Sequence, residues 1–96
     1  MNGLITISSA FPVGVTIDRL ASFLRTNGSN VFARIDHAAL AAKQNLQLRP
    51  TELILFGNPQ VGTALMQDKQ TSGIDLPMKA LAWQDEAGKV WLTYND

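Results

Sequence analysis

The sequence predicts a two-layer α+β domain in the order β-α-β-β-α-β-β, with one sheet of about five strands and two main helices on one face. Three observations predict it. Leu4-Ile5-Thr6-Ile7-Ser8 and Val31-Phe32-Ala33-Arg34-Ile35-Asp36 alternate with the two-residue period of a strand. Ile17, Leu20, Ala21 and Leu24 recur with the period of a helix. Leu53-Ile54-Leu55-Phe56 is an unbroken apolar run that suits a strand buried on both faces, and it leads directly into Gly57-Asn58-Pro59, a helix start.

The first strand is rich in β-branched residues and is broken by Phe11-Pro12-Val13-Gly14. Thr16 is the expected cap of the first helix, whose polar side carries Arg19, Ser22 and Arg25. Asn27-Gly28 supplies a left-handed stop. In the second strand Val31, Ala33 and Ile35 share one face, and Phe32, Arg34 and Asp36 share the other, where the arginine and aspartate can pair with each other or with a neighbouring strand. The alanine-rich stretch 37–43 predicts one or two helical turns, ended by Asn45 in a left-handed conformation.

The central strand spans about 51–56. Asn58 then caps, and Pro59 opens, a helix reaching about Lys69, within which Gly62 costs up to about 1 kcal/mol relative to alanine. Residues 70–73 read as loop, and 74–77 as extended chain ahead of Pro77. Residues 79–83 and 89–94 form paired strands joined by Asp85-Glu86-Ala87-Gly88. The β-α-β order occurs twice, which hints at a pseudo-repeat; each crossover is right-handed if its strands are parallel neighbours.

The 96 residues make a single domain, 1–96, large enough for one core. With 46% hydrophobic and 17% charged residues it is an ordinary globular chain. The absence of cysteine excludes disulfides and thiol nucleophiles, and a single histidine excludes a multi-histidine metal cage. Neither a metal nor a cofactor is expected. No signal peptide and no apolar stretch of bilayer-spanning length is visible, so the expectation is a cytoplasmic protein with no membrane partner. Residues 1–50 carry five basic against two acidic side chains, a net +3, and residues 51–96 carry three against six, a net −3. Such halves can pair within the fold or across a dimer, and the neutral sum lacks the basic bias of a nucleic-acid binder.

Five residues are candidate ligand-binding positions: Asp36, His37, Gly57, Asn58 and Asp75. Asp36-His37 reads either as a proton-transfer or ligand-orienting pair joined by Asp75, or as a helix cap beside a histidine bonded to backbone. At Gly57-Asn58-Pro59 the free amides of the helix start can hold a small anion, or Asn58 simply caps. The spacing lacks the lysine and glycines of a P-loop. Phe32, Trp83, Trp91 and Tyr94 are candidates for a surface on the open sheet face, more suited to packing or a dimer seam than to RNA. Met66 and Met78 either line an adaptable apolar pocket or fill the core.

Four segments, Val31 to Ala38, Leu48 to Leu53, Phe56 to Met66 (Phe-Gly-Asn-Pro-Gln-Val-Gly-Thr-Ala-Leu-Met) and Ile74 to Lys79 (Ile-Asp-Leu-Pro-Met-Lys), resemble the family called domain of unknown function 302 in order and spacing. The likeness runs from the first strand to the end of the chain. It implies an α+β two-layer domain that tends to form homodimers, and it implies no activity. Members of that family run past a Tyr-Asn motif, matched by Tyr94-Asn95, into a further segment with a basic, histidine-containing stretch, whereas this sequence stops at Asp96. The expectation is therefore a trimmed or minimal member: a homodimeric ligand- or partner-binding module. The alternative is a small enzyme with His37 as general acid or base and an anion site at Asn58-Pro59. A third reading is a purely structural dimerisation module.

Overall fold

The computed structural model describes residues 3–95; Asp96, where the sequence ends, lies outside them. The elements are β1 (Leu4–Ser9), α1 (Val13–Thr26), β2 (Asn30–Asp36), α2 (His37–Lys43), β3 (Thr51–Gly57), α3 (Pro59–Asp68), a 3-10 turn (Gln70–Asp75), β4 (Met78–Gln84) and β5 (Val90–Asn95). The expected α+β order holds, the short helix expected over 37–43 forms as α2, and the 3-10 turn is added to it.

The five strands form one sheet in the order β1-β5-β4-β3-β2, and every neighbouring pair is antiparallel. The condition for right-handed parallel crossovers is therefore not met. The two β-α-β units also differ: β1 and β2 lie at opposite edges, so α1 crosses the whole sheet, whereas β3 and β4 are neighbours with α3 looped out between them.

α1 begins at Val13, ahead of the expected Thr16 cap. Pro12 sits at the N-cap with φ −56°, and its carbonyl accepts the Thr16 amide at 2.8 Å. Proline fixes the dihedral a first turn needs, and the Thr16 hydroxyl, instead of capping, bonds back to the Pro12 carbonyl at 2.9 Å. The apolar stripe is as predicted. Ile17 and Ala21 are buried with Leu24, Val13 and Thr16, against Ile54, Ala80, Ala82 and Val90 of the sheet. Ile17 and Ile54 are wholly inaccessible, and each contributes roughly 1.5–3 kcal/mol through burial. Gly28, with φ 83°, ends the helix as the Ser29 amide reaches back to the Leu24 carbonyl.

Register divides the sheet into two faces. Glu52, Ile54 and Phe56 face α1 together with Ala82, Ala80, Leu92 and Tyr94. Leu53, Leu55, Leu81, Trp83, Trp91 and Thr93 occupy the other face and are only partly buried. The central strand is thus fully buried on one face alone. Trp83 and Trp91 stack on the open face at 6.3 Å, whereas Tyr94 packs toward the core on the α1 face. The expected four-residue aromatic surface therefore lacks Tyr94.

The β4–β5 connection forms as expected. Asp85 accepts from the Ala87 and Lys89 amides through Oδ1 and from the Trp91 indole N–H through Oδ2. The Trp91 bond leads the causes that hold the Asp85 carboxyl below its ordinary pKa, followed by the Lys89 amide. Residues 70–75, expected as loop and extended chain, form a 3-10 turn, and only Leu76 is extended (φ −114°, ψ 153°). A proline restricts only the residue immediately before it, so Ile74 and Asp75 are free to wind.

Candidate functional site

β3 and β4 pair up to Phe56 and Met78, and residues 57–77 form an excursion from that end of the sheet. Its local causes are legible. The Asn58 side-chain oxygen accepts the Gln60 amide at 3.0 Å, and Pro59 occupies the first turn, where its missing N–H costs nothing. The Asn58 carbonyl accepts the Gly62 amide at 2.9 Å. α3 packs chiefly on the 3-10 turn, and neither contributes a buried residue. Few buried contacts imply low local stability, so this excursion has the character of a lid.

Beneath the lid lies an open cavity of about 610 Å³, lined by Phe32 and Leu55 of the sheet, Val61, Leu65 and Met66 of α3, and Leu76 and Met78. No charged residue or histidine lines it. The β-bulge between Val31 and Ala33 marks the point where Phe32 reaches this end of the sheet. Gly57 lets the Phe32 ring lie against the backbone, since a Cβ there would stand 3.3 Å from its Cε2. A second cavity of about 590 Å³ shares Pro77 and Met78 with the first. Its apolar lining is Leu20, Phe56 and Leu92, and Asp75, Lys79, Tyr94 and Asn95 line it as well.

The five candidate positions fall into two groups. Gly57 and Asn58 line the first cavity, and Asp75 lines the second. Asp36 pairs with Glu52 at the opposite end of β3, five residues from Gly57, a separation of roughly 17 Å. The structure does not bring His37 together with Asn58 or Asp75. Asp36 caps α2 by accepting the Ala39 amide at 2.9 Å, and the His37 side chain makes no hydrogen bond among the described residues. At the helix start Asn58 already occupies the Gln60 amide, and the cavity lining adds no cation.

Sequence reasoning missed Phe32, Leu55, Val61, Leu65, Lys79 and Tyr94 as lining residues. Met66 and Met78 carried the available signal, because flexible apolar side chains suit an adaptable pocket. Among the described residues no cluster of three or more His, Asp or Glu side chains is arranged to hold a metal ion.

Comparison with known proteins adds a family and a fold. The family described as Domain of unknown function DUF302 matches residues 5–96. The chain is 58% identical over 95 residues to a protein of Brucella suis biovar 1 (strain 1330) named Fluoride-specific ion channel FluC 1, covering 99% of this chain and 37% of the relative. An equally identical protein of the same name from Brucella abortus biovar 1 (strain 9-941) is covered to 35%. The chain thus spans little more than a third of the curated relatives it matches. Among solved structures, the uncharacterized conserved protein DUF302 from Bacillus stearothermophilus superposes with a TM-score of 0.88 at 20% identity, covering 97% of this chain and 73% of that one. That likeness establishes the shared fold.

Proposed function

This chain belongs to the family described as Domain of unknown function DUF302, and from the geometry of its own cavities we propose that it is a small-ligand-binding module. The observation that carries this reading is the cavity of about 610 Å³ under the 57–77 lid, a size suited to a small organic molecule. Its lining comes from the sheet end and from an excursion whose helix and 3-10 turn bury no residue, and the low local stability this implies would allow entry and closure. The test is a thermal-shift screen of small apolar and amphipathic metabolites against wild type, Asn58→Ala and Leu65→Asp. Leu65 is 50% exposed, so the charge is introduced without emptying the core. Stabilisation of wild type that weakens in Leu65→Asp supports the reading; stabilisation surviving both substitutions moves the ligand elsewhere, and no stabilisation by any compound overturns it.

We also propose a homodimer formed through the open sheet face. Leu53, Leu81, Trp83 and Trp91 lie opposite the face that α1 covers, and they are only partly buried. A contiguous apolar face of this kind marks an interaction surface. Sedimentation equilibrium is expected to give a dimer for wild type and a shift toward monomer for Leu81→Lys. A wild-type monomer at every accessible concentration would sink this reading.

Conduction, named for the relatives, is not carried over. α1, with 14 residues, is the longest helix described and rises about 21 Å, against the ~30 Å of a bilayer core. No helix among the described residues is long and apolar enough to cross a membrane. The reading supported is that of an accessory module in proteins that also carry a channel segment. Fluoride flux into vesicles supplied with this chain alone is expected to stay at background.

A further inference from the structure

We propose that the ligand is a single-chain amphipathic molecule, with a hydrocarbon chain under the 57–77 lid and a zwitterionic head group in the adjoining cavity. The inference rests on the small-ligand reading above and names the chemical class.

Chain and head are assigned separately. A charged group in the first cavity would lose water without gaining an ionic partner, because no ionisable side chain lines it and its polar side chains are limited to Thr63 and Asn58, whose oxygen is already bonded to Gln60. Hydrocarbon loses nothing there. Met66 and Met78 can follow chains of differing shape. The second cavity is chemically different although it shares Pro77 and Met78 with the first: Asp75 and Lys79 contribute opposite charges, and Tyr94 and Asn95 contribute neutral polar groups. A head of one sign would meet one of these charges unfavourably. A head carrying both signs can oppose each with its complement. The first cavity includes Leu55 of the open face and the second Phe56, Leu92 and Tyr94 of the α1 face, so one molecule joining them must bend round the sheet end at Pro77 and Met78, which suits a flexible chain better than a rigid ring system.

The lid supports entry of such a chain. Val61, Leu65 and Ile74 are 58%, 50% and 87% exposed, so the apolar side of the excursion is not consumed by the core. Past Gly57, which still pairs with Asn30, the excursion leaves and re-enters the sheet beside one paired position, Phe56 opposite Met78.

The test is isothermal titration of the purified chain with alkyl phosphocholines from hexyl to dodecyl, kept below micelle formation. Alkyl sulfates and alkyl trimethylammonium salts of the same lengths, and toluene, serve as the other arms. Affinity is expected to rise about fourfold per added methylene until the cavity is full. The phosphocholine should bind more tightly than either singly charged head. Asp75→Asn should abolish the preference over alkyl sulfate and keep the chain-length dependence, whereas Val61→Asp should weaken every member of the series. Equal affinity for the three heads, a preference unaltered by Asp75→Asn, or binding untouched by Val61→Asp overturns the proposal, provided circular dichroism shows both variants folded. Toluene binding that is blocked by Val61→Asp, without any head-group preference, would sink this inference and leave the small-ligand reading standing. If neither toluene nor any alkyl compound binds, both fall.

Discussion

Arg34 donates from Nε to the Glu52 carboxylate and from Nη1 to that of Asp18, each at 2.7 Å. One guanidinium therefore ties β2 to β3 and to α1, and it joins the basic first half of the chain to the acidic second half. Glu52 is 9% exposed on the face that α1 covers. The Glu52 and Asp18 hydrogen bonds, in that order, raise the Arg34 pKa above its ordinary value.

The two arms of this triad are expected to differ in worth. Glu52→Gln removes a charge-assisted bond from a largely buried position and should cost about 1–3 kcal/mol. Asp18→Asn removes one whose carboxylate side chain is 64% exposed, and it should cost less than about 1 kcal/mol, falling further with salt. Urea denaturation of the two variants at low and high salt checks both the order and the screening.

Asp85 gives a pH dependence of known sign. Its folded pKa is lowered, first by the Trp91 indole bond, so its stabilising contribution is present above the unfolded pKa and lost as pH falls through the folded one. Asp85→Ala should lower Tm at neutral pH, and the gap from wild type should close below the ordinary carboxylate range. A gap that widens with acid would contradict the assignment.

Two glycine substitutions should act in opposite directions. Gly28→Ala forces a side chain onto φ 83° and should cost about 1–2 kcal/mol globally. Gly62→Ala lies within α3, where the new Cβ would meet Leu76 Cδ1 at an ordinary 3.6 Å, and it gains up to about 1 kcal/mol of helix propensity. Because α3 buries nothing, the gain should appear as slower amide exchange across the lid, with little change in global Tm.

Core and lid should also separate on truncation. Ile54→Ala empties a wholly buried site and should cost about 2–5 kcal/mol. Ile74→Ala, at a position 87% exposed, should stay within about 0.5 kcal/mol. Chemical denaturation midpoints measure the contrast directly.

Much of this was written locally. The stripe of Ile17, Ala21 and Leu24, the caps made by Asp36 and Asn58, the left-handed Asn45 and the Asp85–Gly88 turn each depend on groups within about four residues. A sequence displays such relationships as spacing. The tertiary structure alone decided the pairing of β1 with β5, which sets α1 across the sheet, and the antiparallel β2–β3 register. That register separated Asp36 and His37 from Gly57 and Asn58, and the bulge beside it carried Phe32 to the lid end. Tyr94 went to the core face while Trp91, three residues earlier, went to the open one. The opposition of Trp91 and Tyr94 follows from alternation along β5, whereas which face each takes, and the other outcomes, follow from which strands lie side by side. That choice is made by burial summed over residues far apart in the chain, and no local spacing encodes it.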